Sequence, residues 1–305
     1  MSRVVITGAT GMIGRSVCEA LLARGDQPVA LSRDPQRARG ALPAGVEILR
    51  WETPSKTPPA TELLAGSDAI VNLMGESISQ RWTDEVKRRI RESRVAATRN
   101  LVAGLRALGQ ADRPTVLVSQ SATGYYGATG DREVTEQDPV GRDFLADIVA
   151  DWEAAALEAA DVARVAVTRT GVVLSPSGGA LAKMLPFFRA GIGGPVAGGR
   201  QYVPWVHLDD VVAAVLFCVD DERASGVVNL TAPRPVDNKE FSQALGRALH
   251  RPAFLPVPGF ALQLLYGEMS EIVTTGQRAI PSRLTGLGFY FRHREIEPAL
   301  KDVLA

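Results

Sequence analysis

Apolar residues follow two alternating patterns along the chain: short continuous runs, and longer segments in which they recur every three or four positions. The continuous runs are rich in β-branched residues and predict buried parallel strands. The recurring pattern, as in Val17, Leu21 and Leu22, predicts amphipathic helices. Strand-like runs lie at 4–7, 28–32, 46–51, 68–75, 163–174 and 227–230, and another opens the segment 116–127. This alternation predicts an α/β fold with a doubly wound parallel sheet.

The first strand leads into a glycine-rich turn and then directly into a helix. Gly8, Gly11 and Gly14 are spaced three residues apart. In such a turn the first glycine permits the tight bend, the second lets backbone amides approach a pyrophosphate, and the third lets the helix pack closely on its strand. The positive helix N-terminus then faces the phosphates. We therefore predict a dinucleotide-binding site.

The second strand ends in Ser32, Arg33 and Asp34. NAD-selective sites usually carry an acidic residue here that binds the ribose 2′-hydroxyl, whereas an arginine can pair with the 2′-phosphate of NADP(H). Arg33 favours NADP(H) on this reasoning. The alternative is that Arg33 is a solvated surface residue and that Asp34 binds the ribose.

Composition narrows the classes of protein and partner. The chain has 305 residues, 46% of them hydrophobic, and its 34 basic and 34 acidic residues cancel. This balance gives no reason to expect a nucleic acid or membrane partner. Cys18 and Cys218 lie in apolar helical patterns without ligand-like spacing, so we expect reduced core cysteines and no metal site. No apolar run reaches the ~18 residues of a membrane span, and we expect a cytoplasmic protein with a small-molecule substrate.

Two further segments provide candidate cofactor contacts. The run at 68–75 ends in glycine, and ligands of doubly wound sheets lie at the carboxyl ends of strands, so Leu73, Met74 and Gly75 should edge the crevice. Arg89 and Arg94 lie on the next predicted helix, from about 83 to 108. They could reach a phosphate or carboxylate. The alternative is an ordinary solvated helix face.

The segment 116–127 opens with an apolar strand that delivers hydroxyl groups at its carboxyl end and is followed by paired tyrosines. Here the chain resembles the extended short-chain dehydrogenase/reductase superfamily, and within it a sugar-epimerase-like subgroup of NADP-binding proteins with an extra C-terminal module. The resemblance rests on the glycine turn and on the stretches Asn72–Glu76, Ser121–Gly127, Gly178–Leu181 and Pro204–Asp210.

The resemblance implies a Rossmann fold of the extended type with a small, mostly helical C-terminal module. It divides the chain into an NAD(P)-binding domain with substrate-side insertions at 1–251 and an epimerase-family module at 252–305. It also implies that Gly171 and Val172 edge the nicotinamide half of the site. Arg169 lies in the same strand run and must be paired if it is buried.

One departure from the superfamily concerns catalysis. Its enzymes normally use a tyrosine with a lysine four residues later on a helix, and the lysine lowers the pKa of the phenol. None of the five tyrosines here has such a lysine. An unassisted phenol with a pKa of about 10 is a poor base at neutral pH. The candidate catalytic residues that remain are Ser121, in the place of the superfamily's serine, and Tyr125 or Tyr126, which could donate a hydrogen bond to a substrate oxygen.

His207, Asp209 and Asp210 are weaker candidates. The structural alternative for His207 is that it anchors a loop against Asp209 or the backbone. The two aspartates favour a helix N-cap followed by a first-turn acid.

The sequence therefore favours an NADP(H)-binding reductase or epimerase that acts on a small polar substrate. A non-catalytic NADP(H)-dependent sensor or scaffold is the alternative, supported by the missing tyrosine–lysine pair. A homodimer is a candidate assembly that the sequence does not decide. The candidate cofactor-binding residues are Gly8, Thr10, Gly11, Met12, Ile13, Ser32, Arg33, Leu73, Met74, Gly75, Arg89, Arg94, Gly171 and Val172.

Overall fold

The computed structural model describes residues 1–305. Its strands are β1 (Arg3–Thr7), β2 (Gln27–Ser32), β3 (Glu47–Arg50), β4 (Ala69–Asn72), β5 (Val116–Ala122), β6 (Glu133–Val134), β7 (Arg164–Thr170), β8 (Val172–Leu174), β9 (Tyr202–Val203), β10 (Trp205–His207), β11 (Gly226–Leu230), β12 (Val236–Asp237) and β13 (Arg278–Ala279). Its α-helices are α1 (Met12–Ala23), α2 (Pro35–Arg39), α3 (Asp84–Arg91), α4 (Ala97–Arg106), α5 (Phe144–Leu157), α6 (Gly179–Arg189), α7 (Leu208–Asp220), α8 (Asn238–Ala248), α9 (Gly259–Tyr266), α10 (Glu271–Thr274), α11 (Ser282–Gly286) and α12 (Ile296–Leu304).

Seven strands form one parallel sheet in the order β11-β7-β5-β4-β1-β2-β3. Helices cover both of its faces, as the continuous apolar runs predict. Alternate residues of β1 enter different cores: Val4 packs in the cluster that contains residues of α1 and α7, and Val5 in the cluster that contains residues of α4. Fully burying such a side chain stabilises the fold by about 1.5–3 kcal/mol. The predicted doubly wound α/β fold is confirmed.

Asn72, at the end of β4, forms side-chain hydrogen bonds to the neighbouring strands β1 and β5. Its side-chain oxygen accepts a hydrogen bond from Thr7 Oγ1 at 2.8 Å, and its amide nitrogen donates to Thr98 Oγ1 and Ser119 Oγ, each at 3.0 Å. The regular strand ends at Asn72 rather than at Gly75, and Leu73 adds one more hydrogen bond to β1 before the chain leaves the sheet.

The predicted helix at 83–108 is interrupted. Thr83 caps α3, and between α3 and α4 the residues Glu92–Ala96 form a turn of π-helix. Such a turn is rare and often occurs at functional sites. It carries Arg94, one of the candidate cofactor residues.

The C-terminal residues form mostly helices and pack on the main domain. Leu284 and Phe291 belong to the same core cluster as the sheet, α12 packs on α8, and β13 pairs with β6. This confirms the small, mostly helical C-terminal region. None of the helices combines the length and the apolar character that crossing a membrane requires.

Candidate dinucleotide-binding and reaction site

Two of the three glycines in the first turn occupy positions where any side chain would clash. Gly8 has φ of +68°, and a Cβ there would lie 2.4 Å from the carbonyl oxygen of Leu73; a Cβ on Gly14 would lie 2.6 Å from Cα of Ala9. Gly11 is the N-cap of α1, and no side chain caps this helix and no acidic residue lies in its first turn. The positive helix end therefore faces the crevice without a neutralising group from the protein.

The other candidate residues of the turn line its two sides. Thr10 and Gly11 are exposed, and Met12 lies against Gly178, where a Cβ would be 3.4 Å from its sulfur atom. Ile13 packs against the central core. On the opposite side, Leu73 continues the sheet by donating its N–H to Thr7 O at 3.1 Å.

Arg33 and Asp34, which follow β2, are both exposed, but they differ in their hydrogen bonds. One carboxylate oxygen of Asp34 accepts the N–H of Arg37 at 3.0 Å and so caps α2. The hydroxyl of Ser32 donates to the carbonyl of Asp34 at 3.0 Å. Arg33 itself is exposed. This arrangement favours Arg33 over Asp34 as the side chain that meets the adenosine ribose.

Glu76 pairs with Arg89 of α3 and is also influenced by the charge of Arg33. Its Oε1 lies 3.0 Å from Nε of Arg89, whose Nη1 also reaches Glu85 at 2.9 Å. Burial opposes ionisation of Glu76, but hydrogen bonds from Arg89 and Gln80 and the charges of Arg89 and Arg33 outweigh it and lower the pKa of this carboxyl. Arg89 is thus already paired with two carboxylates.

Arg94 has a different environment. Its guanidinium lies beside Gly75, where a Cβ would be 3.0 Å from Cζ of Arg94, and 5.3 Å from the ring of Trp152. Nη1 donates only a long hydrogen bond, 3.3 Å, to the carbonyl of Ile90. Burial lowers the pKa of Arg94 to about 10. A half-buried cation with so few partners attracts an anionic ligand to this edge of the crevice.

The candidate serine belongs to a buried ionic network. Ser121 is 1% exposed and donates its hydroxyl proton to Oε1 of Glu153 at 2.5 Å. Glu153 also accepts two hydrogen bonds from Arg169, each 2.8 Å long, in a buried bidentate pair. Arg169 is therefore buried and paired, as the sequence required. The hydroxyl of Ser121 is turned into the protein interior rather than into the crevice.

The two candidate tyrosines differ in access. Tyr126 is 4% exposed; its hydroxyl donates to Oδ1 of Asn229 at 2.6 Å and accepts from Nη1 of Arg169 at 2.9 Å. Burial raises the pKa of Tyr126 to about 12. Tyr125 is half-buried, and its ring lies 3.3 Å from the guanidinium carbon of Arg169. Of the three candidate catalytic hydroxyls, that of Tyr125 is the one that the network leaves free.

Helix α5 supplies no tyrosine and no lysine, as the sequence indicates. It begins at the N-cap Asp143, whose carboxylate accepts the N–H of Ala146 at 2.9 Å. Leu145 packs against the loop that carries the tyrosines, 3.7 Å from the Cβ position of Gly124. Glu153, nearer the end of the helix, faces Ser121 and Arg169.

Comparison with known proteins places this geometry in a family. A sequence model of the NAD dependent epimerase/dehydratase family matches residues 4–231, three quarters of the chain. The chain belongs to this family. Residues 257–303 match a domain of unknown function, DUF1731.

Relatives in the family are similar over the whole chain. The chloroplastic epimerase family protein SDR39U1 homologue of Arabidopsis thaliana is 41% identical over 305 residues, which cover 99% of this chain and 86% of the relative. The crystal structure of the human epimerase family protein SDR39U1 with NADPH is 33% identical, covers 99% of both chains and superposes with a TM-score of 0.87. A UDP-glucuronic acid 4-epimerase from Bacillus cereus, 15% identical over 99% of this chain and 98% of its own, with a TM-score of 0.78, shares the fold.

Gly171 and Val172, which we predicted to edge the nicotinamide half of the site, follow β7. A Cβ on Gly171 would lie 1.8 Å from the carbonyl oxygen of Pro204, and the N–H of Val172 donates to that oxygen at 2.7 Å. These contacts connect the end of β7 to the β8–β10 pair. Gly171 is therefore required for this close approach, whatever it contributes to the cofactor.

Sequence reasoning did not find several residues that build the site. Gln277 donates Nε2 to the carbonyl of Gly127 at 2.9 Å and so attaches the C-terminal region to the tyrosine loop. Asn229 holds the hydroxyl of Tyr126 from β11. An acidic residue such as Glu153 could have been expected from the sequence, because a buried Arg169 needs an acidic partner. The other two are polar residues far along the chain from the groups they contact, and no local pattern marks them.

Proposed function

We propose that the chain binds NADP(H) in the crevice at the carboxyl edge of the sheet and transfers hydride between the nicotinamide ring and a small polar substrate, as a reductase or epimerase. The observation that carries this proposal is the uncapped N-terminus of α1 beside Gly8 and Gly14, together with the exposed Arg33 at the end of β2. Asp34 is engaged in capping α2, which supports a 2′-phosphate as the partner of Arg33. The family relationship to a human protein solved with NADPH agrees with this assignment.

The protein's part in the reaction follows from the groups near the end of β5. The cofactor supplies the hydride, and the chain must hold the nicotinamide and the substrate in contact and exclude water. Tyr125 has the free hydroxyl, and the stacking of its ring on Arg169 fixes its direction. We assign to it a hydrogen bond to the substrate oxygen that gains or loses a proton.

A second function has specific support. Ser121 and Tyr126 are held by the buried network, and α5 carries neither a phenol nor an ammonium group. A chain without a poised acid or base can still bind NADP(H) tightly and signal its presence to a partner. This sensor or scaffold is the alternative to the enzyme.

Turnover separates the two functions. Purified chain, NADPH and a panel of carbonyl compounds should consume NADPH if the protein is a reductase, and should form epimers without net NADPH change if it is an epimerase. Tyr125→Phe removes one hydroxyl and should lower kcat, whereas the control Tyr290→Phe, at an exposed site in the C-terminal region, should not. Tight binding without turnover would establish the sensor instead. Absence of any binding heat with NADPH would refute both.

A further inference from the structure

Four potential metal ligands meet where the C-terminal region docks on the main domain. His207 ends β10, Asp209 lies in the first turn of α7, His293 precedes α12, and Asp302 lies on α12. One potential ligand atom from each of the four lies within 4.8 Å of the others. The cluster uses none of the residues assigned to the dinucleotide site.

The two imidazoles are buried but not satisfied. The side chains of His207 and His293 are 5% and 9% exposed, and their rings stack with centroids 3.6 Å apart. Nε2 of each ring is buried without a hydrogen-bond partner. Buried polar atoms normally have partners, because leaving them unpaired costs free energy. The lone pair of His293 Nε2 is therefore available to a ligand, and Nε2 of His207 lies 3.3 Å from Oδ2 of Asp302 without a hydrogen bond to it.

Two carboxylates complete the cluster. Oδ2 of Asp302 lies 3.3 Å from Nε2 of His207, and Oδ2 of Asp209 lies 3.9 Å from Nε2 of His293. Both aspartates are about half exposed, so their side chains can move. Ligand atoms at about 2.0–2.2 Å from a tetrahedral zinc ion lie about 3.3–3.6 Å apart. Among the proposed ligands, Nε2 of His293 and Oδ2 of Asp209 are 3.9 Å apart and all lie within 4.8 Å of one another, so the half-exposed aspartates must move inward by up to about 1.5 Å on binding.

The carboxylates of Asp209 and Asp302 have little compensating positive charge around them. Asp210 is occupied, since it accepts the N–H groups of Arg292 and His293 at 2.8 and 2.9 Å. The nearest fixed positive charge is the exposed guanidinium of Arg292, whose Nη1 is 3.8 Å from Asp209. Such an exposed pair contributes little. A divalent cation would neutralise both carboxylates at once.

The two histidines differ in the role they can take. Nδ1 of His207 accepts the N–H of Asp209 at 3.1 Å, so the proton of the neutral ring is on Nε2, which points toward Asp302. This ring can orient a ligating carboxylate, as neighbours of metal ligands often do. Nε2 of His293 has no such constraint and can bind a metal directly.

We propose that this cluster binds a divalent transition-metal cation of the zinc class, with His293 Nε2 and the carboxylates of Asp209 and Asp302 as ligands and His207 as the residue that orients Asp302. A mixed nitrogen and oxygen set suits zinc, cobalt or nickel better than magnesium. The ion ties α12 and the segment before it to β10 and α7. Its role is to fasten the C-terminal region to the main domain.

The test uses the full chain after treatment with a chelator, and calorimetry with ZnCl2 alone. We expect one zinc ion per chain and a higher unfolding temperature in its presence. His293→Phe keeps an aromatic ring stacked on His207 but removes the ligating nitrogen, and Asp302→Asn removes a charge at a half-exposed position. Each should weaken zinc binding by more than about tenfold. Glu297→Gln, on the same helix and paired with Arg247 and Lys301, should bind zinc like the parent chain.

Two outcomes would overturn the proposal: no binding of zinc to the parent chain, or equal affinity in the parent and both variants, which would place the ion elsewhere. NADPH titrations of the same samples keep this test separate from the proposed function. The two variants should bind NADPH like the parent chain, because the cluster contributes no group to the dinucleotide site. Their folding is checked by the same titration.

Discussion

Replacing Arg33 by alanine removes the one positive charge that directly follows β2. One carboxylate oxygen of Asp34 is engaged with the N–H of Arg37, which weakens the competition of this residue for the 2′-hydroxyl of NADH. A charge-assisted hydrogen bond contributes about 1.5–3 kcal/mol. Arg33 is exposed, and screening by water and salt places the expected effect at the lower end, about 1.5 kcal/mol.

This free energy corresponds to roughly a tenfold loss of NADPH affinity, since about 1.4 kcal/mol changes an equilibrium constant tenfold. NADH lacks the 2′-phosphate, so its affinity should stay the same. Calorimetric titrations of both cofactors at low salt measure the two constants. Arg37→Ala is the matched control, because it removes an exposed arginine four residues away that lies on α2.

Salt provides an independent check of the same contact. NADPH binding by the parent chain should weaken as ionic strength rises, and the dependence should be smaller in Arg33→Ala. Equal losses of NADPH and NADH affinity in Arg33→Ala would refute the assignment of this residue to the 2′-phosphate. An effect of similar size in Arg37→Ala would mean that general charge, not a specific contact, attracts the cofactor.

Three further changes test the structure around the site. Gly8→Ala forces a side chain into a left-handed conformation 2.4 Å from the carbonyl oxygen of Leu73, so it should destabilise the fold by about 1–3 kcal/mol in denaturant titrations and abolish NADPH binding in calorimetry. Glu153→Gln leaves the buried Arg169 without its counter-charge. This variant should lower the free energy of unfolding, measured by urea titration, by about 3–5 kcal/mol. A change below about 1 kcal/mol would contradict the buried ion pair. Burial of Asp26 opposes its ionisation, but hydrogen bonds from the N–H of Ser2 and from Arg24 lower its pKa below the usual 3.8. Its contribution to stability is therefore present above about pH 4 and is lost as the pH falls through the lower pKa of the folded state. Asp26→Asn should flatten that part of the stability profile, and an unchanged profile would argue against the lowered pKa.

The sheet and the first turn were predictable because each depends on local pattern. Continuous apolar runs specify buried parallel strands, and Gly8 and Gly14 lie where only glycine fits. Helix ends depend on single side chains and were less predictable. The N-cap of α7 is His207, whose Nδ1 accepts the N–H of Asp209, rather than Asp209 itself. An imidazole seldom takes this role, and the usual preference for aspartate at the N-cap led to the wrong residue.

Access to the candidate catalytic hydroxyls was not predictable. Ser121 lies near the end of β5 and Tyr126 follows this strand, and their spacing alone says nothing about which way their hydroxyls point. Glu153 and Asn229, which bind these hydroxyls, come from α5 and β11. Contacts between segments so far apart in sequence depend on the packing of the whole sheet. Pattern analysis therefore predicted a site at the carboxyl edge of the sheet but not the interior network beneath it.

The network also bears on which chemistry this site can perform. Glu153 accepts from Ser121 and twice from Arg169, and Arg169 donates in turn to Tyr126. Freeing either hydroxyl for a substrate would leave a buried donor or acceptor unpaired, which costs about 1–3 kcal/mol for a neutral group and more beside a charge. The protein interior thus opposes proton transfer through Ser121 or Tyr126. If the chain is an enzyme, the proton must pass through Tyr125 or through a group of the substrate itself, and the loss of activity in Tyr125→Phe decides between these two routes.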